Sequence, residues 1–433
     1  MKWFSRCLVI FLILFPLFSQ TQTERPPAVG GDVTKEGFKP LPVMIPNTFL
    51  ETPEGSAEAV ELQKTLSADL YNSDYFEIVD SSQFPPFQGQ VNLAPYKNSR
   101  AKYLTLLKAG LTAGQINVEA RFYDLQSGQL IVGKVYKWEK KFVRQIAHRF
   151  GDEILYRLMG IKGLFTSKIG FSSDRTGNRE VWLMDYDGFN QKQITISKTI
   201  NLSPDLSPDG KKVVYTTYKT TENGIGQALV VYSIYEGTKY NLFSRGSLNS
   251  APAWAPDGNR ISFTSNVNGN AELFTINTDG TNLRQVTFNR AIDTSPAWNP
   301  KSGQIAFTSD RSGNPMVYVM NEDGTNEQRL TYVGEYNESA AWSRDGSKLA
   351  YVSRSGINFD VYVIDMVSNK VLRLTQNELS NENPCWSPDS RHISFSSNRT
   401  GKYQIWSMLY DGTKLRQLSR EGNNTSPSWA VGE

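Results

Sequence analysis

Two rhythms of apolar residues divide this chain. Between residues 41 and 159 they alternate between helical and strand spacing, whereas from Ile169 onward they fall in short period-two runs broken by Gly, Pro, Asn and Asp. In the first part, 41–45 and 75–79 read as strands. Val60, Leu62, Leu66 and Leu70 give one apolar side to a helix that Ser56 can cap and that runs to about Tyr71. The stretches 103–111, 116–123 and 129–138 read as antiparallel strands, the last two joined at Ser127-Gly128. A second helix over 141–159 repeats Phe142, Ile146, Phe150, Ile154 and Leu158 every fourth residue. Residues 40–160, about 120 in all, suffice for a separate α+β domain, which Ile161-Lys162-Gly163 would join to the repeating second part.

In the second part the short runs repeat. Trp254, Trp298, Trp342, Trp386 and Trp429 stand 44, 44, 44 and 43 residues apart, the period of a four-stranded propeller blade. Thr287, Thr331, Thr375 and Ser419 close successive repeats, and Phe274, Tyr318, Tyr362 and Trp406 mark a shared inner aromatic. Within 250–287, Pro252 is expected to begin a first strand carrying Trp254. Pro256-Asp257-Gly258 supplies a turn, 260–264 alternates like a half-buried strand, and Asn268-Gly269 signals a hairpin. Third and fourth strands follow over 273–276 and 283–287. The tryptophans read as fillers of the blade wedge.

Full repeats begin near Ser203, Ser250, Thr294, Glu338 and Glu382, while 169–195 lacks a tryptophan strand that reappears alone at 425–429. The C-terminus is therefore expected to complete the first blade and close a six-bladed ring over 164–433. Two copies depart: in the second Leu206 replaces tryptophan and 219–227 carries about four extra residues, and in the fifth Met366-Val367-Ser368-Asn369 replaces an Asp-Gly turn. The expected fold class is mainly β, a six-bladed β-propeller preceded by a small α+β domain.

Charge and composition narrow the chemistry. Lys2 and Arg6 precede an eleven-residue apolar run, 8–18, so 1–21 reads as a secretory signal peptide, too short to span a membrane. Residues 22–39, rich in Pro, Gly and charge, read as a flexible tail. With Lys2 and Arg6 removed, 44 basic residues face 43 acidic ones, which gives no case for nucleic acid. Cys385 is the only cysteine left, so no internal disulfide is expected, and its place beside Trp386 suggests a small buried side chain rather than a reactive thiol. His148 and His392 are the only histidines and read as surface or packing residues; with no Gly-x-Ser-x-Gly elbow, no catalytic constellation is expected. Asp185-Tyr186-Asp187-Gly188 and Asn321-Glu322-Asp323-Gly324 resemble the start of a calcium loop but lack its later ligands, so they read as hairpin turns. No cofactor is expected, and calcium held by carboxylates converging in the channel is left open.

The junction Met-Gly-Ile-Lys-Gly-Leu-Phe (residues 159–165), the Asp-Tyr-Asp-Gly-Phe-Asn at 185–190, and the Pro-Ala-Trp-Ser-Pro-Asp-Gly type repeats behind an exported α+β domain closely resemble the TolB family, the periplasmic component of the Tol-Pal system. The resemblance covers nearly the whole mature chain. It implies a soluble periplasmic adaptor without catalysis that binds the lipoprotein Pal through the propeller and communicates with TolA through its N-terminal region. It also implies a role in outer-membrane integrity and in constriction at division, with other outer-membrane proteins as further candidate partners. Residues 22–39 show no motif that aligns with the family's TolA-engaging segment. The connections before each innermost strand should ring one mouth of the channel, where Asp293, Glu338 and Glu382 add negative charge. On the resemblance this is the Pal-binding face, with Asn249, Thr294, Glu338, Glu382 and Thr425 as its contact residues. Two other classes are weighed: a metal-dependent propeller hydrolase or lactonase, and a sugar- or peptidoglycan-binding propeller.

Overall fold

The computed structural model describes residues 39–432 apart from 222, 223 and 377. The expected leader and, but for Lys39, the expected tail lie outside them.

The amino-terminal domain is a sheet with two helices on one face. The strands run in the order Phe76–Val79, Leu41–Met44, Tyr103–Thr112, Gln115–Asp124, Leu130–Glu139, and Phe49–Leu50 pairs further along the third. The first three are parallel and the last three antiparallel. Helices α1 (Ser56–Asn72) and α2 (Val143–Met159) bury Leu62, Leu66, Leu70, Ile146, Phe150 and Ile154 against Leu107, Val118 and Phe122. The opposite face is covered by the loop that carries Phe87 and Tyr96.

Three local expectations are corrected here. Ser56 is the first helical residue rather than the cap, because a 3-10 turn at Pro53–Gly55 leads directly into α1. Val60 is 48% exposed, and Ala59 takes the buried place beside Leu62. Phe142 is likewise exposed, since α2 starts one residue later, after the turn Lys140–Phe142.

The remainder is six four-stranded antiparallel sheets. Five are consecutive in sequence; the sixth pairs the last strand, Asn424–Ala430, with the first propeller strand, Lys168–Thr176. The ring is closed by its own C-terminus, as the missing tryptophan strand implied. Trp429 is 2% exposed and donates from Nε1 to Ser167 Oγ at 2.7 Å.

The innermost strand departs from expectation in a way that repeats. In the third blade it spans Asn249–Trp254, so Pro252 lies inside it rather than at its start. A register shift between Ser250 and Ala253 makes this tolerable: at a bulge the ladder asks no N–H of proline. The residue at the bulge, which precedes the proline in every blade but the fifth, takes the strain. Ser203, Ala251, Ser295, Ser339, Asn383 and Ser426 all have φ between +48° and +54°, one per blade. The second strand, Arg260–Ser265, is not half-buried: its polar Ser262 and Thr264 are as buried as Ile261 and Phe263, because a blade is covered on both faces by its neighbours. The fourth strand shrinks to Arg284–Gln285 at the ring's outer edge. Phe274, Tyr318 and Tyr362 sit on third strands and pack on Phe263, Phe307 and Tyr351 of the second, so they are not innermost.

The tryptophans fill the wedge and also join blades. Trp254 Nε1 donates to the Asp205 carbonyl and Trp386 Nε1 to the Ala341 carbonyl, each 3.0 Å away in the preceding blade. The residues closing each repeat add a second tie. Thr195, Thr287, Thr331, Thr375 and Ser419 accept from the third-strand N–H groups of Val181, Leu273, Val317, Val361 and Ile405. Their hydroxyls donate onward to Glu180, Glu272, Met316, Asp360 and Gln404.

Candidate functional site: the mouth of the propeller channel

Antiparallel four-stranded blades place the connections between repeats and the turns between second and third strands on one face, and the remaining two turns of each blade on the other. Hydrogen bonds confirm the pairing on the first face: Ser247 and Leu248 N–H donate to Asn266 Oδ1, Ile292 N–H to Asp310 Oδ1, Ser380 N–H to Asn398 Oδ1 and Asn423 N–H to Asp174 Oδ1.

The amino-terminal domain occupies the second face. Asp74 pairs with Arg391 at 2.9 Å, the Asn72 carbonyl meets His392 Nε2 at 3.0 Å, and Lys414 donates to the Tyr71 carbonyl at 2.6 Å. Beside these, Asp69 Oδ2 lies 2.8 Å from His148 Nδ1, Tyr186 donates to Asp69 Oδ1, and Arg144 bridges Glu61 and Asp187. Both histidines are therefore buried at the seam between the domains: His392 bonds across it, while His148 bonds Asp69 of its own domain and brings Nε2 to 3.7 Å from Asp187 of the ring. Donor atoms of Asp69, His148 and Asp187 fall within 4.8 Å of one another, the spacing of a metal site. Tyr186 and Arg144 already bond the two carboxylates, which makes the cluster a hydrogen-bonded latch. Asp185–Gly188 and Asn321–Gly324 close as turns, with the glycine N–H donating to the Asp185 or Asn321 carbonyl at 2.9 Å.

The first face is thus free of the other domain and carries the predicted contact residues. Four of the five occupy one structural position. Thr294, Glu338, Glu382 and Thr425 each follow a fully buried Asn or Asp at the start of an innermost strand and are half-buried around the mouth. Tyr336 donates to Glu338 at 3.0 Å, Tyr403 donates to Glu382, Thr264 donates to Thr294 at 3.1 Å, and Arg179 donates to Thr425 at 2.8 Å. Burial, and then the neighbouring Glu382 charge, hold the Glu338 carboxyl above its ordinary range. Burial with the adjacent carboxylates pushes Tyr336 and Tyr403 up to about 12, so both stay protonated donors.

Asn249 is displaced by one position from the other four and is corrected. It is fully buried, donates to the Gln227 and Arg245 carbonyls at 2.8 and 2.9 Å, and accepts from Ser265 at 2.8 Å. Its counterparts Asn201, Asp293, Asn337, Asn381 and Asn424 are equally buried, and Asn201 and Asn424 bond Glu180 and Gln404 of the preceding blade. Asn249→Ala should cost about 1–3 kcal/mol, because it removes three hydrogen bonds of a fully buried amide and leaves Ser265 Oγ without its acceptor. Chemical unfolding checks the loss; a cost with undiminished partner affinity is the expected pattern, and a neutral change would contradict the structural role.

Sequence reasoning missed an apolar rim. Ile196, Ile200, Phe288, Ile292, Tyr332 and Leu379 on the connections, Ile357 on a second-to-third turn and Ile225 on the strand end beside another, are all exposed, Ile196 at 79% and Phe288 at 75%. They surround the acidic mouth on the same face, an arrangement of apolar surface that marks an interaction site. The residue after three of the four closing threonines was the available signal, since Ile196, Phe288 and Tyr332 stand there while Gln376 follows Thr375.

Below the mouth the channel narrows to a cavity of about 260 Å³ lined by the innermost strands. The Asp205 carboxylate accepts from Trp254 N–H and Ser428 Oγ, both at 2.7 Å, and burial holds its carboxyl above the ordinary range. Arg344 reaches the Trp429 carbonyl at 2.5 Å. Cys385 is half-buried in this wall, 3.0 Å from Ser394 Oγ, and burial pushes its thiol up to about 12, leaving it protonated and unreactive.

The sequence matches two family models, one described as the TolB beta propeller domain, over residues 155–361 and 341–433, and one as the TolB amino-terminal domain, over 32–131. The Tol-Pal system protein TolB of Desulfosudis oleivorans is 32% identical over 57% of this chain and 57% of its own length. The TolB homolog of Chlorobaculum tepidum is 30% identical over 65% of this chain and 63% of its own length, so the matched stretch spans about three fifths of either relative. The crystal structure of TolB from Acinetobacter baumannii superposes with a TM-score of 0.76 at 26% identity, covering 90% of this chain and 96% of that one. With both domains matched separately, and in the order that the Acinetobacter structure also shows over nearly its full length, the chain belongs to the TolB family.

Proposed function

We propose that this protein is a periplasmic adaptor of a Tol-Pal system, acting by docking rather than by catalysis. In this reading the exported chain binds the lipoprotein Pal on the propeller face opposite the amino-terminal domain, and that domain relays to TolA. The assembly supports outer-membrane integrity and invagination at division. One observation carries the docking part: half-buried carboxylates at the mouth are encircled by exposed apolar side chains, on the one propeller face the other domain leaves open. Interfaces draw their energy from such a desolvated centre with apolar neighbours. The adaptor reading is further supported by the positions of the two histidines, both buried in hydrogen bonds at the seam between the domains, His148 with Asp69 of its own domain and His392 with the Asn72 carbonyl across it. No helix among the described residues is long and apolar enough to cross a membrane.

The test is Glu338→Lys with Glu382→Lys, measured by calorimetric titration with purified Pal. The double variant should keep its melting temperature and bind about tenfold or more weakly, a loss of about 1.4 kcal/mol. Unchanged affinity would remove these residues from the site. If Phe288→Ser is silent as well, the docking face itself is misassigned.

A further inference from the structure

The amino-terminal sheet ends on a long strand with nothing beside it among the described residues. Leu130–Glu139 pairs with Gln115–Asp124 on one side only. Its outer edge presents ten residues of backbone whose alternate N–H and C=O groups turn away from the sheet, a ready template for another strand. Val135, 69% exposed, adds apolar surface there.

The edge is strongly basic. Between residues 130 and 149 stand six lysines and arginines against one carboxylate, Glu139. Lys134, Lys140 and Lys141 pair with Glu153, Glu58 and Glu139, and Arg144 turns into the interdomain latch. Lys137 and Arg149 have no ion-pair partner among the described residues, and Arg149 lies 5.3 Å over the Trp138 ring.

At the end of this strand a cleft of about 600 Å³ opens between the two domains, walled by Trp138, Phe142, Phe165 and Tyr235 with Arg149 and Lys168 at its margin. Gln145 Oε1 and His148 Nε2 lie in the same wall, buried and without a hydrogen-bond partner among the described residues. Aromatic walls with a few convergent polar atoms are the usual make-up of a site for a large side chain.

We propose that this edge and cleft form a second docking site, independent of the propeller mouth, for an extended acidic segment of a partner protein that carries a tryptophan or tyrosine anchor. The segment adds a strand to Leu130–Glu139. Carboxylates on one face of the segment meet Lys137 and those on its other face meet Arg149, and its anchor enters the cleft, where the ring N–H or hydroxyl donates to Gln145 Oε1. Backbone pairing supplies affinity and the pocket supplies choice of sequence. A flat anionic surface such as a bilayer would use the same cations but neither the strand edge nor the cleft.

The experiment uses the full mature chain and a ten-residue peptide of glutamates and valines placed two by two, so that both faces of the added strand carry carboxylates, with one central tryptophan. Its controls are a lysine-for-glutamate counterpart and vesicles of phosphatidylglycerol. The acidic peptide should bind at least about tenfold more tightly than the basic one and lose about tenfold in affinity with Lys137→Glu and Arg149→Glu together, at unchanged melting temperature. Amide exchange within 130–139 should slow about tenfold on binding. Equal affinity for the two peptides, or protection elsewhere but not at 130–139, overturns the proposal. So does capture by the vesicles in preference to the acidic peptide, which would make the patch a membrane contact.

Discussion

A chain ending at Asn424 should lose its ring. Residues 425–430 are most of the innermost strand of the first blade; without them Lys168–Thr176 becomes an open edge and Ile169 and Phe171 lose the cover of Trp429. Removing the buried tryptophan alone, as Trp429→Ala, should cost about 3–5 kcal/mol. The truncation adds the ladder with 168–173 and the ties from Ser428 to Asp205, from Arg344 to the Trp429 carbonyl and from Trp429 to Ser167. The expected result is a chain that does not fold cooperatively, read by circular dichroism and limited proteolysis. A truncated protein that melts within a few degrees of the full chain would show that closure contributes little.

The second large effect lies in the latch between the domains. Asp69→Ala should destabilise the protein by about 3–5 kcal/mol, because it leaves His148 buried beside Arg144 with one carboxylate fewer to balance them. Burial alone would push the His148 pKa down, but the Asp69 and then the Asp187 charges more than offset it and hold the imidazole above its ordinary value near 6.5. A raised folded value contributes stability that is fully present below pH of about 6.5 and is lost as pH rises through the folded value. Burial opposes this at Asp69 by pushing its carboxyl up. Melting temperature should therefore fall as pH rises above about 6.5 in the native protein, and His148→Gln should flatten that slope. A slope unaltered by the substitution would place the titration elsewhere.

The ring was legible because its information is periodic. A tryptophan every 44 residues and a first repeat lacking one that reappears at Trp429 determine both blade count and closure. The mouth was legible only in part. Glu338 and Glu382 follow from the repeat phase, yet Asn249 belongs to a different column of the same repeat. The series Asn201, Asn249, Asp293, Asn337, Asn381, Asn424 would have separated the two, since short amides recurring at one strand position point to backbone bonding rather than to a varied binding surface. The apolar rim was hidden because Ile357 sits in a turn and Ile225 at a strand end beside one, where periodicity says nothing about exposure. The latch was hidden for another reason: Asp69 stands 79 residues from His148 and 117 from Tyr186, so only folding brings them together. Proline in the innermost strand was misplaced because a bulge cannot be told from a strand start without the residue that bends.

The seam of the propeller also has a mechanical meaning. The amino-terminal domain grips the ring on both sides of it, through Tyr186 and Asp187 on the first blade and through Arg391, His392 and Lys414 on the sixth. A load borne by that domain is therefore shared between the two blades that the terminal strand joins and does not fall on one side of the joint alone.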